Sequence, residues 1–420
     1  MDFADDWDDE LRSFAERLLR FETTAGNEAP AQEWLRERLE AFGFETYEWV
    51  AEAAQLASHP SFPDDPEAIQ TSGRPSVAGV LEFGDPDAGP TLVLNGHVDV
   101  VPAGRESAWS GNPFEPRWDG DRLTARGAVD MKCGLAACVF AARHLAETGT
   151  DIDGRVVVES VVGEEEGGIG AAAAALSNPY PFDRDAAIVA EPTELRPITA
   201  TEGSLMTRLR LEGRSAHAAT RWHGESVLEH FERIRRAFMD LEAERGERVS
   251  HPLYEAFPTP WPVCFGTVEA GSWASTVPDE LVAEIRIGVA PGETVDEVER
   301  EFEARLASVV DDEPWLESNP PEFERFSIQF EAAETDPDEP VVGAVQSAMA
   351  EVGLEESAVR GATYGADSRH YVAAGIPTVL FGPGSIQQAH FPDETIDWSE
   401  VLTAGETIAR GARTFFAGER

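Results

Sequence analysis

The chain has 420 residues with 79 acids and 33 bases, a formal net charge of −46, and a field of that sign excludes phosphate backbones and anionic membrane surfaces as partners. Apolar residues make up 42%, which excludes disorder by composition, and no run approaches the ~20 apolar residues of a membrane span. Cys133, Cys138 and Cys264 form neither a disulfide framework nor a CxxC zinc site, and the opening MDFADDWDDELRSF carries acids where a secretory signal carries bases and then an apolar run, so a globular cytoplasmic protein is expected.

The first ~50 residues read as helical. Leu11, Phe14, Leu18 and Leu19 share one face, Trp34, Leu35, Leu39 and Phe42 another, and Gly43 stands where a helix C-cap glycine belongs. Ala51–Arg74 is rich in Pro, Ser and Asp and reads as an irregular excursion. Short apolar runs at Thr91–Leu94, Arg155–Val162, Ala186–Ala190 and Thr378–Phe381 alternate with helical stretches. That alternation predicts an α/β sheet with helices on both faces, in which sites form at the C-terminal ends of strands.

The middle of the chain has a different pattern. Ser204–Glu212 alternates, with Leu205, Thr207, Leu209 and Leu211 on one side and Arg208 and Arg210 on the other. Val227, Phe231, Ile234, Phe238 and Leu241 follow a helical period. Pro262–Val268 and Glu280–Val289 read as strands, Val295, Val298, Phe302, Leu306 and Val309 as a second amphipathic helix, and Phe323–Phe330 as a last strand. The order β-α-β-β-α-β is the ferredoxin-like arrangement. The predicted organisation is an α/β domain in two parts, residues 1–201 and 333–420, interrupted by an α+β insertion at 202–332, with Glu331–Glu339 as the return linker.

Five segments carry chemistry. Asn95-Gly96-His97-Val98-Asp99 leaves a strand, and Asp99 could hold one nitrogen of His97 and leave the other free for a metal. Arg126-Gly127-Ala128-Val129-Asp130-Met131-Lys132 opens a helix running to about Leu145. Gly163-Glu164-Glu165-Glu166-Gly167-Gly168 and Glu191-Pro192-Thr193 each follow a strand, and Ala389-His390-Phe391-Pro392-Asp393-Glu394 lies in the loop after another. Singly, each acid is one among 79, and each has a plain surface reading. Together, four of the five follow short apolar strands, so their side chains converge on one sheet edge. Two histidines and three carboxylates form a nitrogen and oxygen set that suits a pair of zinc ions, or cobalt or manganese, with one carboxylate bridging.

Taken in order, NGHVDVVPAG, Trp109, NPFEPRWDGDRL, RGAVDMK, GEEEGGIGA, EPT, GRSAHAA and GPGSIQQAHFPDETI resemble the dinuclear-zinc amidohydrolase and peptidase family of acetylornithine deacetylase, succinyl-diaminopimelate desuccinylase, aminoacylases and glutamate carboxypeptidase, over nearly the whole chain. The resemblance implies a zinc-exopeptidase-like catalytic domain interrupted by a ferredoxin-like dimerisation lid, and a homodimer formed through that lid. It implies His97 and Glu191 as ligands of one metal, Glu165 and His390 of the other, and Asp130 as the bridge. Asp99 corresponds to the acid behind the first histidine and Glu164 to the general base. A register one residue later, with Glu165 as base and Glu166 as ligand, stays open. His217 corresponds to the lid histidine that steadies the oxyanion in the partner subunit's site, and Arg286 to an arginine that holds a substrate carboxylate; each also reads as an ordinary loop or strand residue. Gly163 replaces a usual Asp, Ser275 a usual Asn near the oxyanion, Ala125 a common Gly, and Thr220 stands near an expected Pro.

The implied reaction is hydrolysis of the amide bond of an N-acyl amino acid, with a carboxypeptidase or dipeptidase as the rival within the class. A non-catalytic, metal-stabilised protein that binds amino-acid derivatives is the rival outside it. Lys132 is the only lysine. Arginine in place of lysine on an acidic surface fits a salt-rich cytoplasm, where charges are screened over a few Å; a base-composition bias in the genome is the alternative. The single retained lysine, beside Asp130, is a candidate for a positional role.

Overall fold

The computed structural model describes residues 3–148 and 152–418. The N-terminal helix, Phe3–Leu19, buries Phe3, Trp7, Leu11, Phe14 and Leu18, a three- and four-residue spacing that makes one apolar stripe. Asp5 and Asp6 in its first turn favour the positive end of the helix dipole. The next helix, Ala29–Ala41, has Pro30 in its first turn, which costs nothing where no backbone N–H is needed. It gives way at Gly43, whose φ of +90° reverses the chain.

The main sheet runs Glu45–Val50, Pro75–Phe83, Gly154–Val161, Thr91–His97, Ala186–Val189, Thr378–Leu380, Ile198–Thr201, Ala333–Glu334, with Arg360–Ala362 also paired to Ile198–Thr201. The four strands from Gly154–Val161 to Thr378–Leu380 are mutually parallel and point one way. They are covered on both faces, which is why Leu92-Val93-Leu94 and Val156-Val157-Val158 read as continuous apolar runs rather than alternating ones. The helix Trp398–Ala417 packs between Lys132–Glu147 and Pro340–Glu351. No described helix is long and apolar enough to cross a membrane.

After Thr201 the chain leaves this sheet and builds a second, antiparallel one, in the order Val263–Ala270, Glu280–Val289, Gly203–Glu212, Glu322–Arg325. The helices Val227–Arg248 and Val295–Asp311 supply Ile234, Phe238 and Phe302 to a separate core with Leu205, Leu209 and Ile285. The strand order and two helices are the ferredoxin-like arrangement.

Several local expectations need correction. The strand expected at Phe323–Phe330 is broken after Arg325, because Ser327 takes φ of +57° and the side chain of Gln329 bridges to Met206 before main-chain pairing resumes between Phe330 and Ser204. Gln329 Oε1 accepts from Met206 N at 2.8 Å and its Nε2 donates to Met206 O at 3.2 Å. The acidic return linker is not wholly linker, since Ala333–Glu334 pairs with Ile198–Thr201. The excursion at 51–74 holds a short helix, Ala53–Leu56, and packs Leu56, Phe62 and Ile69 against Ile169 and Ala172. A three-stranded sheet, Thr395–Asp397, Arg122–Thr124 and Arg117–Asp119, was too short to be read from the sequence.

Candidate metal centre

The C-terminal ends of the parallel strands form the site. His97 is the last residue of its strand, Glu191 follows Ala186–Val189, and Asp130 stands two residues before the helix Lys132–Glu147. Glu164–Glu166 is a single tight turn held between Gly163 and Gly167, with φ of +72° and +97°. A side chain at Gly163 would also run into Ile169 at 2.9 Å, so this position suits glycine better than the acid usual in the resembling family. His390 reaches the cluster from a loop, with φ of +62°.

His97 Nε2 lies 3.0 Å from Asp130 Oδ1 and 4.0 Å from Glu191 Oε1. His390 Nε2 lies 3.1 Å from Glu165 Oε1 and 3.4 Å from Asp130 Oδ2. Within each of the two triads, His97–Asp130–Glu191 and Asp130–Glu165–His390, one donor atom per residue lies within 4.8 Å of the others. Asp130 is common to both and turns a different oxygen to each histidine. The donors are nitrogen and oxygen, and the triads open onto a cleft, which fits two divalent cations at open sites.

The Glu run separates by contact. Glu165 meets His390, Glu164 is buried and lines the cleft, and Glu166 turns away to Arg74, which also pairs with the fully buried Glu28. Asp99 differs from its expected role in detail. The nitrogen of His97 that faces away from the cluster, Nδ1, is 3.0 Å from the main-chain oxygen of Asp99 and 3.7 Å from its carboxylate. The carboxylate instead accepts from Glu165 N at 3.1 Å, so Asp99 ties the His97 strand to the Glu turn.

Electrostatics follow from crowding. Burial and then neighbouring carboxylates push Glu164 and Glu191 well above the ordinary range, and Glu165 above it. Burial also acts to raise Asp130, but hydrogen bonds from His390 and His97 prevail and hold it low. Burial acts against charge on His97, yet the Asp130 hydrogen bond and the Asp99 and Glu191 charges hold it well up. Hydrogen bonds to Asp130 and Glu165 push His390 up to about 10. The crowded carboxylates and raised histidines mean that binding a cation would release protons.

A cleft of about 210 Å³ lies over the carboxylates and is lined as well by Ser204, Arg286, Phe330 and Tyr364. Arg286 comes from the small sheet and is held by buried Glu202 at 3.0 Å and by Thr363 O at 3.3 Å. Burial pushes Glu202 up to about 7 against the pull of Arg286. A larger cavity of about 580 Å³, at the opposite ends of the strands among Pro90, Pro377 and Phe416, has no comparable donor cluster among the described residues.

Two singled-out residues are not in the cluster. His217 is exposed, accepts from Ala219 N at 3.0 Å, and does not line the cleft of its own chain. Lys132 is fully buried, donates to Phe21 O at 2.8 Å, and is driven down to about 7 by burial. The charges of Glu394 and Asp99 act against that shift, and Lys132 does not line the cleft. Sequence reasoning missed Glu394, Asp367 and Tyr364. Asp367 is buried, with neither carboxylate oxygen hydrogen-bonded to a described residue, and Tyr364 lines the cleft. The one available signal was the place of Glu394 in the His390 segment.

Residues 93–414 match the family model described as peptidase family M20/M25/M40. The chain is 27% identical to an N-formyl-4-amino-5-aminomethyl-2-methylpyrimidine deformylase of Bacillus subtilis, over 94% of this chain and 92% of that one. It is 26% identical to an acetylornithine deacetylase of Pectobacterium atrosepticum, over 76% and 79% of the two chains. The structure of an M20 family metallo-carboxypeptidase from Sulfolobus solfataricus superposes with a TM-score of 0.75 at 18% identity, covering 97% of this chain and all of that one. With a family match across three quarters of its length, the chain belongs to peptidase family M20/M25/M40, hydrolases of amide bonds.

Proposed function

We propose that this amidohydrolase removes the acyl group from an N-acyl amino acid, as an acetylornithine deacetylase or succinyl-diaminopimelate desuccinylase does. The observation that carries the reading is the pairing, in one small cleft, of two donor triads sharing Asp130 with a fixed arginine, Arg286. Of the five guanidinium N–H groups, two are taken by Glu202 and Thr363, so three remain to hold a carboxylate. An N-acyl amino acid offers both an amide and a carboxylate. The aminopyrimidine named for the B. subtilis relative has no carboxylate for Arg286 to hold.

In this reading His97 and Glu191 hold one divalent cation, Glu165 and His390 the other, and Asp130 both. Zinc is the first choice, with cobalt or manganese compatible with the same donors. When bound, the cations supply Lewis acidity that polarises the amide carbonyl and acidifies water. Glu164, buried and free of the histidines, takes the proton of the attacking water and gives it to the leaving amine. Asp99 fixes His97 and the Glu turn, and Arg286 orients the substrate.

Residues 1–201 and 333–420 form the catalytic domain, and 202–332 a lid that dimerises. The outer strand of the small sheet, Val263–Ala270, is exposed and open along one edge, and Trp222 and Trp273 stand out beside His217 at 72% and 74% exposure. A second copy covering this surface would bring His217 to the partner's cleft, where it steadies the oxyanion. A carboxypeptidase or dipeptidase remains the second reading, because Arg286 would hold a peptide C-terminus equally well. The test is zinc content together with hydrolysis of N-acetyl-ornithine, N-succinyl-diaminopimelate, N-acetyl-methionine, dipeptides and an N-formyl aminopyrimidine. Turnover confined to the N-acyl amino acids supports the proposal. Preference for dipeptides or for the aminopyrimidine replaces it.

A further inference from the structure

We propose that Glu394 is the positioning residue of the shared carboxylate: it grips the main chain that carries Asp130 and so sets both metal positions at once. The carboxylate of Glu394 is fully buried and takes two donors on each oxygen. Oε1 accepts from Val129 N at 2.7 Å and Asp130 N at 3.0 Å. Oε2 accepts from Arg126 Nη1 at 2.8 Å and Gly127 N at 3.0 Å. Three amides of one five-residue stretch thus converge on a single anion, as in a backbone nest. Buried amides without partners are costly, so this carboxylate decides whether 126–130 can keep that shape.

The grip is tied to the other half of the site. Glu394 lies four residues after His390, so one loop supplies a histidine of one triad and the hold on the residue common to both. The loop is anchored on either side. Asp393 accepts from Ser110 N at 3.0 Å and Arg117 Nη2 at 2.9 Å. Glu394 O accepts from Ala125 N at 3.1 Å, and Thr395 pairs with Thr124. Displacing Asp130 by a few tenths of an Å would move an oxygen in each triad, because each histidine faces a different one. The inference rests on the reading of Asp130 as a bridge.

The test uses the full chain and manganese as the probe. Wild type should bind two Mn²⁺ per chain with an exchange-coupled EPR signal, and Glu394→Gln, which puts an amide NH₂ where two donors point, should weaken both equivalents together by about 10–100-fold and abolish the coupling. Hydrogen exchange on metal-free wild type covers the case in which the variant does not fold: the amides of Gly127, Val129 and Asp130 should stay protected without metal. Two coupled ions bound normally by Glu394→Gln, loss of one equivalent only, or free exchange of those amides until metal is added would overturn the inference. Wild type that binds fewer than two ions would instead overturn the bridging reading beneath it.

Discussion

Replacing Glu164 by Gln separates the two roles in the Glu turn. His97 pairs with Asp130 and His390 with Glu165, so neither triad uses Glu164, and an isosteric amide leaves both intact. It also keeps a neutral side chain beside Glu191 and Asp367, whose proximity raises Glu164's proton affinity, so the fold should not suffer. What is lost is the proton carrier. General acid–base catalysis is worth roughly 10²–10⁴ in rate, or about 2.7–5.4 kcal/mol at 1.36 kcal/mol per tenfold. Steady-state kinetics with metal analysis on the same sample should therefore show two metals, near-normal KM, and kcat reduced by that factor. Glu165→Gln should instead lose metal, since it breaks the His390 triad. An active Glu164→Gln beside a metal-loaded but inactive Glu165→Gln would refute the assignment and move the base one residue along.

Four further outcomes follow from the same structure. Arg74→Met strands Glu28, which is 0% exposed, and should lower unfolding free energy by about 3–5 kcal/mol, read by denaturant titration; a loss below about 1 kcal/mol would show that Glu28 is solvated another way. Arg286→Met should raise KM for an N-acyl amino acid by about tenfold to a hundredfold, the range for hydrogen bonds to a charged group, and leave the C-terminal amide of the same substrate unaffected; equal losses on both would remove Arg286 from carboxylate binding. His217→Ala should keep both metals and lose about 10²–10³ in kcat, and unchanged kcat would argue against a partner's histidine in the cleft. The net charge of −46 should make stability salt-dependent, because the Debye length shrinks from ~10 Å at 0.1 M to ~3 Å at 1 M. Thermal unfolding in 0.1 M KCl should come well below that in 2 M KCl, and coincident curves would assign the acid excess to base composition.

Much of this architecture was legible because its signals are local. Glu280–Val289 alternates in burial as its sequence does, since one face of the small sheet meets helices and the other meets solvent. The apolar runs Leu92–Leu94 and Ala186–Ala190, just before His97 and Glu191, arise because their strands are covered on both faces, and that same pattern marks where a site can open. What escaped was set by distant contacts. Gln329 interrupts a strand through its side chain, and Ala333–Glu334 is a strand only because Ile198–Thr201 offers an edge. Glu394 looks like any other acid until the chain folds 126–130 around it. Asp99 lies beside His97, but which of its oxygens makes the hydrogen bond depends on backbone geometry beyond the reach of residue spacing.

Proton linkage bears on the handling of the metal. Because His390 is raised to about 10 and the buried carboxylates are raised as well, binding cations must release protons, and affinity should fall as pH falls. The most direct measurement is hydrolysis of the best N-acyl amino acid by chelator-stripped protein as zinc is added back at neutral pH. Activity that rises until two equivalents per chain are bound is the predicted result. Full activity at one equivalent, or none at two with every panel substrate, would contradict a shared-carboxylate, two-metal amidohydrolase.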